Sequence, residues 1–120
     1  IIVRIVYNLR MNKQSDDNTQ FSTGAQRDDR KGKLRMSLVP HKGLDRIMKR
    51  YLDGAETYGE NNWLKGMPHS ALYDSAHRHL MQWWSKDSSE DHLAAAAWNI
   101  ICLMQLENNS DLDDRETFPN

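Results

Sequence analysis

His79, His92 and Asn99 are the residues of this chain best suited to do chemistry from inside a fold. Each stands in a run whose apolar residues recur at helical spacing, so each is a hydrogen-bonding group on a face that should exclude water. His92 and Asn99 lie in EDHLAAAAWNIICLMQL, Glu90 to Leu106, at a separation that puts them within about 20° of each other on a helix. Ala95 and Ala96 lie between them and leave room above that polar row. A buried polar group without a partner costs about 1–3 kcal/mol, so the row must meet either neighbouring helices or a ligand. A histidine alone on an apolar face is more often a satisfied core residue than a catalyst.

Carboxylates and cations surround these positions. Glu90 and Asp91 open the same run, and Asp74 precedes His79. Asp74 and Arg78 have the i, i+4 spacing of a helical ion pair, on a face different from that of His79. Asp53 and Glu56 are one turn apart and could share a cation or simply face water. Arg27, Arg30, Lys31, Lys33 and Arg35 crowd one short stretch near Gly24 and Gly32. Such a cluster is either a solvated arm or a segment that folds over a phosphate chain through charge-assisted bonds. It lacks the spacing of a Walker loop. Trp63 falls in a segment rich in Asn, Gly and Pro, where an indole can cover the core edge or stack on a purine.

The elements that must position these groups read as helices. Leu44, Ile47, Met48, Tyr51, Ala55 and Tyr58 follow the i, i+3, i+4, i+7 rhythm of one buried face, with Pro40 before it and Gly59 as a stop. Glu60 to Pro68 reads as a loop. Ser70 to Ser85 forms a second helix whose apolar face is Leu72, Ala76, His79, Leu80 and Trp83. Lys86 to Ser89 is a short turn, so the second and third helices should be antiparallel neighbours, with Asp87 or Ser88 capping the third. That third helix, Glu90 to Leu106, is apolar on almost every side and should be the most buried. It is too short and too polar at its start to span a membrane.

The expected fold is therefore all-α: a small bundle of three main helices with an extended basic N-terminal arm, completed by oligomerisation because the third helix offers more apolar surface than so short a chain can cover. Residues 1–22 read as a non-core extension, with residues 1–10 either translated upstream sequence or an added strand and Asn12 to Ser22 disordered. Residues 23–106 form the domain, and residues 107–120 an acidic disordered tail. A net charge of −1 argues for neither nucleic acid nor membrane as a partner. Cys102 is the single cysteine, so no internal disulfide can form, which is compatible with a reducing cytoplasm. The spacing gathers a candidate site where Asp74 and His79 of the second helix face Asp91, His92 and Asn99 of the third. It leaves a metal-assisted hydrolase and a helical interaction module both open.

Four blocks narrow this. TGAQRDDRKGKLRMSLVP, DGAETYGENNW, DSAHRH and EDHLAAAAWN stand in this order between Thr23 and Leu106. In that order they resemble the bacteriophage family described as dATP/dGTP diphosphohydrolase, N-terminal domain, which looks related to the MazG-like all-α nucleotide pyrophosphatases. The resemblance implies hydrolysis of a purine deoxynucleoside triphosphate to the monophosphate and pyrophosphate, in the host cytoplasm, with Mg²⁺ or Mn²⁺ held by carboxylates. The mechanism that the resemblance implies has Asp74 and Asp91, with Glu90 in support, as the metal ligands, since Mg²⁺ prefers oxygen donors, with His79, His92 and Asn99 orienting water or the carboxylates. Arg27, Lys33, Arg35 and Arg78 would meet the phosphates, and Tyr58, Asn62 and Trp63 would hold the nucleoside. The paired E-x-x-E and E-x-x-D signature of the MazG-like enzymes is not found in this sequence. A nucleotide-binding module without turnover and a helical scaffold therefore stay open beside the enzyme.

Overall fold

Three helices carry the second of two units into which the chain divides, residues 1–39 and residues 40–120. The structure is a computed structural model that describes residues 18–117. The sequence reading of residues 1–17 and of residues 118–120 lies outside the described residues.

Helix α1 spans His41–Tyr58, α2 spans His69–Trp84 and α3 spans His92–Leu106. Proline fixes the entry to the first two: Pro40 and Pro68 stand just before them in extended conformation, where a missing N–H costs the helix nothing. Gly59, at φ 92°, ends α1 by turning the backbone into a region that a side chain would resist. Along α1 the Lys49 ammonium meets Asp53 at 2.7 Å, an i, i+4 pair on the exposed side. The expected stop at Gly59 is therefore seen, and the helix begins one turn earlier than its first apolar residue.

Helix α3 lies against both α1 and α2 and buries the most residues among the described ones. Its run of alanines has high helix propensity and lets α2 approach closely. Ala94, Ala95, Ala96 and Cys102 are buried from α3, and Leu72 and Ala76 from α2. The α2 and α3 axes run antiparallel. His79 near the end of α2 touches His92 at the start of α3, and His69 at the start of α2 bonds the Leu106 carbonyl at the end of α3.

Three details depart from the expected pattern. The cap of α3 is Asp91, whose carboxylate accepts the Ala94 N–H at 3.1 Å, and not Asp87 or Ser88. Leu80 and Trp83, expected inside, are 41% and 48% exposed, because the buried stripe of α2 runs through His69, Leu72, Ala76 and His79 instead. No residue of α1 is fully buried, and Met48 and Tyr58 are exposed.

The stretch after α3, expected as a disordered acidic tail, is instead folded back through residue 117. The Leu112 carbonyl accepts the His69 N–H at 2.9 Å. The Asp114 carboxylate takes the Ser70 N–H at 2.9 Å and the Ser70 hydroxyl as well. It thereby places a negative charge on the unpaired donors at the start of α2. The Leu112 side chain lies so close to Gly66, at φ 95°, that a Cβ there would come within 3.0 Å of it. Specific long-range bonds, and not apolar periodicity, hold this segment.

In the N-terminal unit Asn18–Gln20 pairs antiparallel with Gln26–Asp28 in a two-stranded hairpin. Residues 18–22 are thus part of a strand and its turn, where the sequence suggested disorder. Gly24, at φ 91°, makes the turn possible, and the Phe21 N–H closes it on the Ala25 carbonyl at 2.8 Å. A single 3₁₀ turn, Met36–Leu38, follows. Among the described residues no helix is long and apolar enough to cross a membrane.

Candidate functional site

A cavity of about 700 Å³ opens in the helical unit, within the range of small-molecule sites. Its walls come from four consecutive pieces of structure. The second half of α1 supplies Arg50, Tyr51, Asp53, Gly54 and Tyr58. The turn after it supplies Glu60, Asn61, Asn62 and Trp63, α2 supplies Ala71, Leu72, Ser75 and His79, and α3 supplies Trp98 and Asn99.

The local sequence explains the shape. Gly54 puts no side chain on the α1 wall, and a Cβ built there meets nothing within 4 Å. Gly59 and the left-handed Asn61, at φ 60°, swing the chain into the 3₁₀ turn Asn62–Lys65, which presents Trp63. The Trp63 ring stands edge-on to Tyr51 with centroids 6.2 Å apart, and Trp98 lies 5.6 Å from the same tyrosine. Such edge and tilted pairs hold rings in place as well as burying them. Tyr51 is fixed from below, its hydroxyl 3.4 Å from the buried Cys102 Sγ. Burial and that contact raise the phenol pKa well above its ordinary value, and burial raises the thiol.

The polar floor belongs to α2 and α3. Asn99, 5% exposed, donates from Nδ2 to the Ala95 carbonyl at 2.8 Å and to Ser75 Oγ at 3.2 Å. Ser75 and His79 are one turn apart on α2, and both line the cavity. His79 in turn meets His92: the two Nδ1 atoms are 2.9 Å apart, so one donates to the other. Burial is the main cause that lowers the His79 pKa. Arg50, His92 and Arg78 lower it further, and Glu90 opposes them. The neutral imidazole is therefore the favoured form at neutral pH. Glu90 lies 3.7 Å from His79 Nδ1 and 3.1 Å from Arg50 Nη2, so a cation and a carboxylate sit beside the histidine pair.

The structure brings some of the expected site residues together and separates others. Tyr58, Asn62, Trp63, His79 and Asn99 all line the cavity, and His92 joins through His79. Asp74 and Arg78 do not. They border a shallow hollow of about 480 Å³ on another face of α2, with His77, Met81 and Asp87. Arg78 bonds the Ser75 hydroxyl at 3.2 Å and makes no ion pair with Asp74. Asp91 is committed elsewhere: Arg46 grips its two carboxylate oxygens at 2.6 and 2.8 Å while Ala94 N–H takes a third bond. The Arg46 bonds are the main reason its pKa is pulled down to about 2. Among the described residues Asp74, Glu90 and Asp91 therefore form no metal-binding group; the one cluster with suitable donors is His79, Glu90 and His92. Asp53 is drawn to Lys49, and Glu56 is exposed.

Arg27, Lys33 and Arg35 belong to the N-terminal unit. There they border a hollow of about 300 Å³ together with Arg30, Thr19 and Phe21. Their convergence shows that the basic segment has a shape of its own, set by the hairpin.

Sequence reasoning missed Arg50, Tyr51 and Trp98. Arg50 and Gly54 are one turn apart on α1, a cation beside a missing side chain, and that spacing was the available signal. Tyr51 and Trp98 read as ordinary core aromatics, and nothing local marks them as cavity walls.

Residues 23–115 match the family model described as dATP/dGTP diphosphohydrolase, N-terminal, and the chain belongs to that family. No curated protein and no solved structure gives a match.

Proposed function

We propose that this dATP/dGTP diphosphohydrolase-family domain binds a purine deoxynucleoside triphosphate in the cavity between α1, α2 and α3 and hydrolyses it to the monophosphate and pyrophosphate. The observation that carries the reading is the cavity itself: it is lined by the aromatic rings of Tyr58, Trp63 and Trp98 and by the polar side chains of Ser75, His79 and Asn99, of which His79 and Asn99 are buried. Aromatic surface suits the base, and a small set of fixed polar groups suits the sugar and the reacting phosphate. The family's description supports the substrate class and the reaction type of this reading.

Each residue then has a task in this reading. Trp63 and Tyr58 hold the base, with Asn62 beside them. Asn99 is oriented by Ala95 and Ser75, and His79, at the cavity edge, orients the water. Arg50 is the cation that lines the cavity, against two carboxylates, Asp53 and Glu60. That charge balance favours phosphates that arrive already neutralised, so Mg²⁺ or Mn²⁺ enters this reading together with the triphosphate. The three carboxylates Asp74, Glu90 and Asp91 do not converge, and no step is assigned to an ion held by them.

Self-association in the cytoplasm is part of the same proposal. Trp84, Met104 and Met81 are 80%, 70% and 69% exposed, apolar surface that a monomer gains nothing by showing to water.

The test is incubation of the purified chain with each deoxynucleoside triphosphate and Mg²⁺ or Mn²⁺, with products separated by anion-exchange chromatography. Pyrophosphate together with dGMP or dAMP is the expected result. Purine nucleotide binding without products would leave a binding module, and neither binding nor products would overturn the reading.

A further inference from the structure

The geometry points to a binding site for one six-coordinate divalent transition-metal ion, of the Mn²⁺, Fe²⁺ and Co²⁺ class, held by Nδ1 of His79, Nδ1 of His92 and a carboxylate oxygen of Glu90. The three donor atoms lie within 4.8 Å of one another, and both imidazoles are buried. The inference stands apart from the proposed hydrolysis, since its readout is occupancy by an ion and not turnover.

Three observations carry it. The first is the separation of the two Nδ1 atoms, 2.9 Å. With metal–nitrogen bonds of roughly 2.0–2.1 Å, ligands at 90° stand about 2.9 Å apart and tetrahedral ligands about 3.3 Å apart. The spacing that the free imidazoles fill with a hydrogen bond is also that of neighbouring corners of an octahedron. The second is the far side of His92. Its Nε2 is buried and makes no hydrogen bond, and Asp87 Oδ1 lies 3.5 Å from it. When Nδ1 binds an ion, Nε2 must carry the proton, and a carboxylate behind a ligating histidine is the usual support. The third is the donor set. Two imidazoles and one carboxylate suit a borderline ion with open coordination positions, whereas Mg²⁺ prefers oxygen alone. Arg50 shares Glu90 at 3.1 Å and would have to yield part of that contact. Glu90 and Asp87 together supply the opposing charge. His79 also lines the cavity, so the ion would lie at its edge.

The experiment strips the full chain with a chelator and titrates it with Co²⁺, following visible absorption and heat, with Mg²⁺ as competitor. Expected are saturation at one ion per chain, the weak bands of six-coordinate cobalt, and no displacement by excess Mg²⁺. Asp87→Ala, which removes the oxygen facing His92 Nε2, should weaken Co²⁺ binding by about 10–100-fold. Glu90→Gln, at an exposed position, should weaken it more, and Asp45→Asn should leave the titration unchanged. His92→Ala risks unfolding, so the unmodified chain supplies the direct check: Co²⁺ should shift the imidazole N–H proton resonances of His79 and His92 far outside their normal range. No saturable binding, parent affinity in Glu90→Gln, the intense bands of tetrahedral cobalt, or unshifted imidazole resonances would each overturn the site.

Discussion

The two sides of α2 carry residues of similar chemistry and very different circumstance. The inward stripe holds His69, Leu72, Ala76 and His79, all buried, with His79 touching both the cavity and His92. The outward side holds Asp74 and Arg78, both exposed, neither on the cavity nor paired with the other. One helix thus presents a titratable group to a polar-floored cavity and another to open water. Chemistry of the residue type does not decide which of them can act. The neighbour packed against that side decides it.

His92→Ala strikes the inward side hardest. It removes a buried ring and leaves His79 Nδ1 without its partner, for an expected loss of about 2–4 kcal/mol. Chemical denaturation of parent and variant measures this directly. A loss under about 1 kcal/mol would mean that the two buried rings contribute no more than exposed polar residues do.

That contrast marks how much of the molecule was legible in the sequence. Burial periodicity found all three helices, and Pro40 and Gly59 marked the bounds of α1. The same periodicity singled out His79, His92 and Asn99, since a polar residue inside an apolar stripe is conspicuous, and the structure brings those three to one place. Asp74 misled because spacing names a face of a helix without naming what covers it. Asp91 misled because a carboxylate just before a helix is first of all a cap, and here Arg46 claims the rest of it. Leu80 and Trp83 fit an apolar face equally well, and only packing chose the stripe through His69 instead. The folded segment around Leu112 and Asp114 had no periodic signal, since single hydrogen bonds to His69 and Ser70 fix it.

A middle effect is expected from acid. Asp91 has its pKa held down to about 2 in the fold, against an ordinary 3.8. The folded state therefore binds fewer protons than the unfolded one between those values. The stability Asp91 contributes is complete above about pH 4 and is lost as pH falls toward 2. The depressed His79 acts with the same sign from about pH 6.5 downward, because protonating it in the fold is disfavoured. Melting temperature against pH should fall on the acid side, and Asp91→Asn should flatten the limb below about pH 4 while costing about 0–1 kcal/mol at neutral pH through loss of the exposed Arg46 ion pair, since Asn caps a helix about as well as Asp. A variant curve parallel to the parent's would remove Asp91 from this role.

The smallest effect is expected on the outward side. Asp74→Asn should leave melting temperature, nucleotide affinity and hydrolysis at parent values, because Asp74 borders neither the cavity nor an ion pair. A fall in hydrolysis by orders of magnitude with an intact fold would restore Asp74 to the site and erase the distinction between the two sides.

We place the nucleotide in the cavity between α1, α2 and α3, and Gly54 gives the means to close that cavity. This glycine lines the cavity from inside a helix, its φ is ordinary, and a Cβ there meets open space. Gly54→Leu should therefore raise helix stability by roughly 0.5–1 kcal/mol while filling the space the nucleotide needs. Calorimetric titration of parent and Gly54→Leu with dGTP and Mg²⁺ should show saturable binding in the parent and none in a variant that melts no lower. A Gly54→Leu protein that binds dGTP with the parent's affinity would contradict the account.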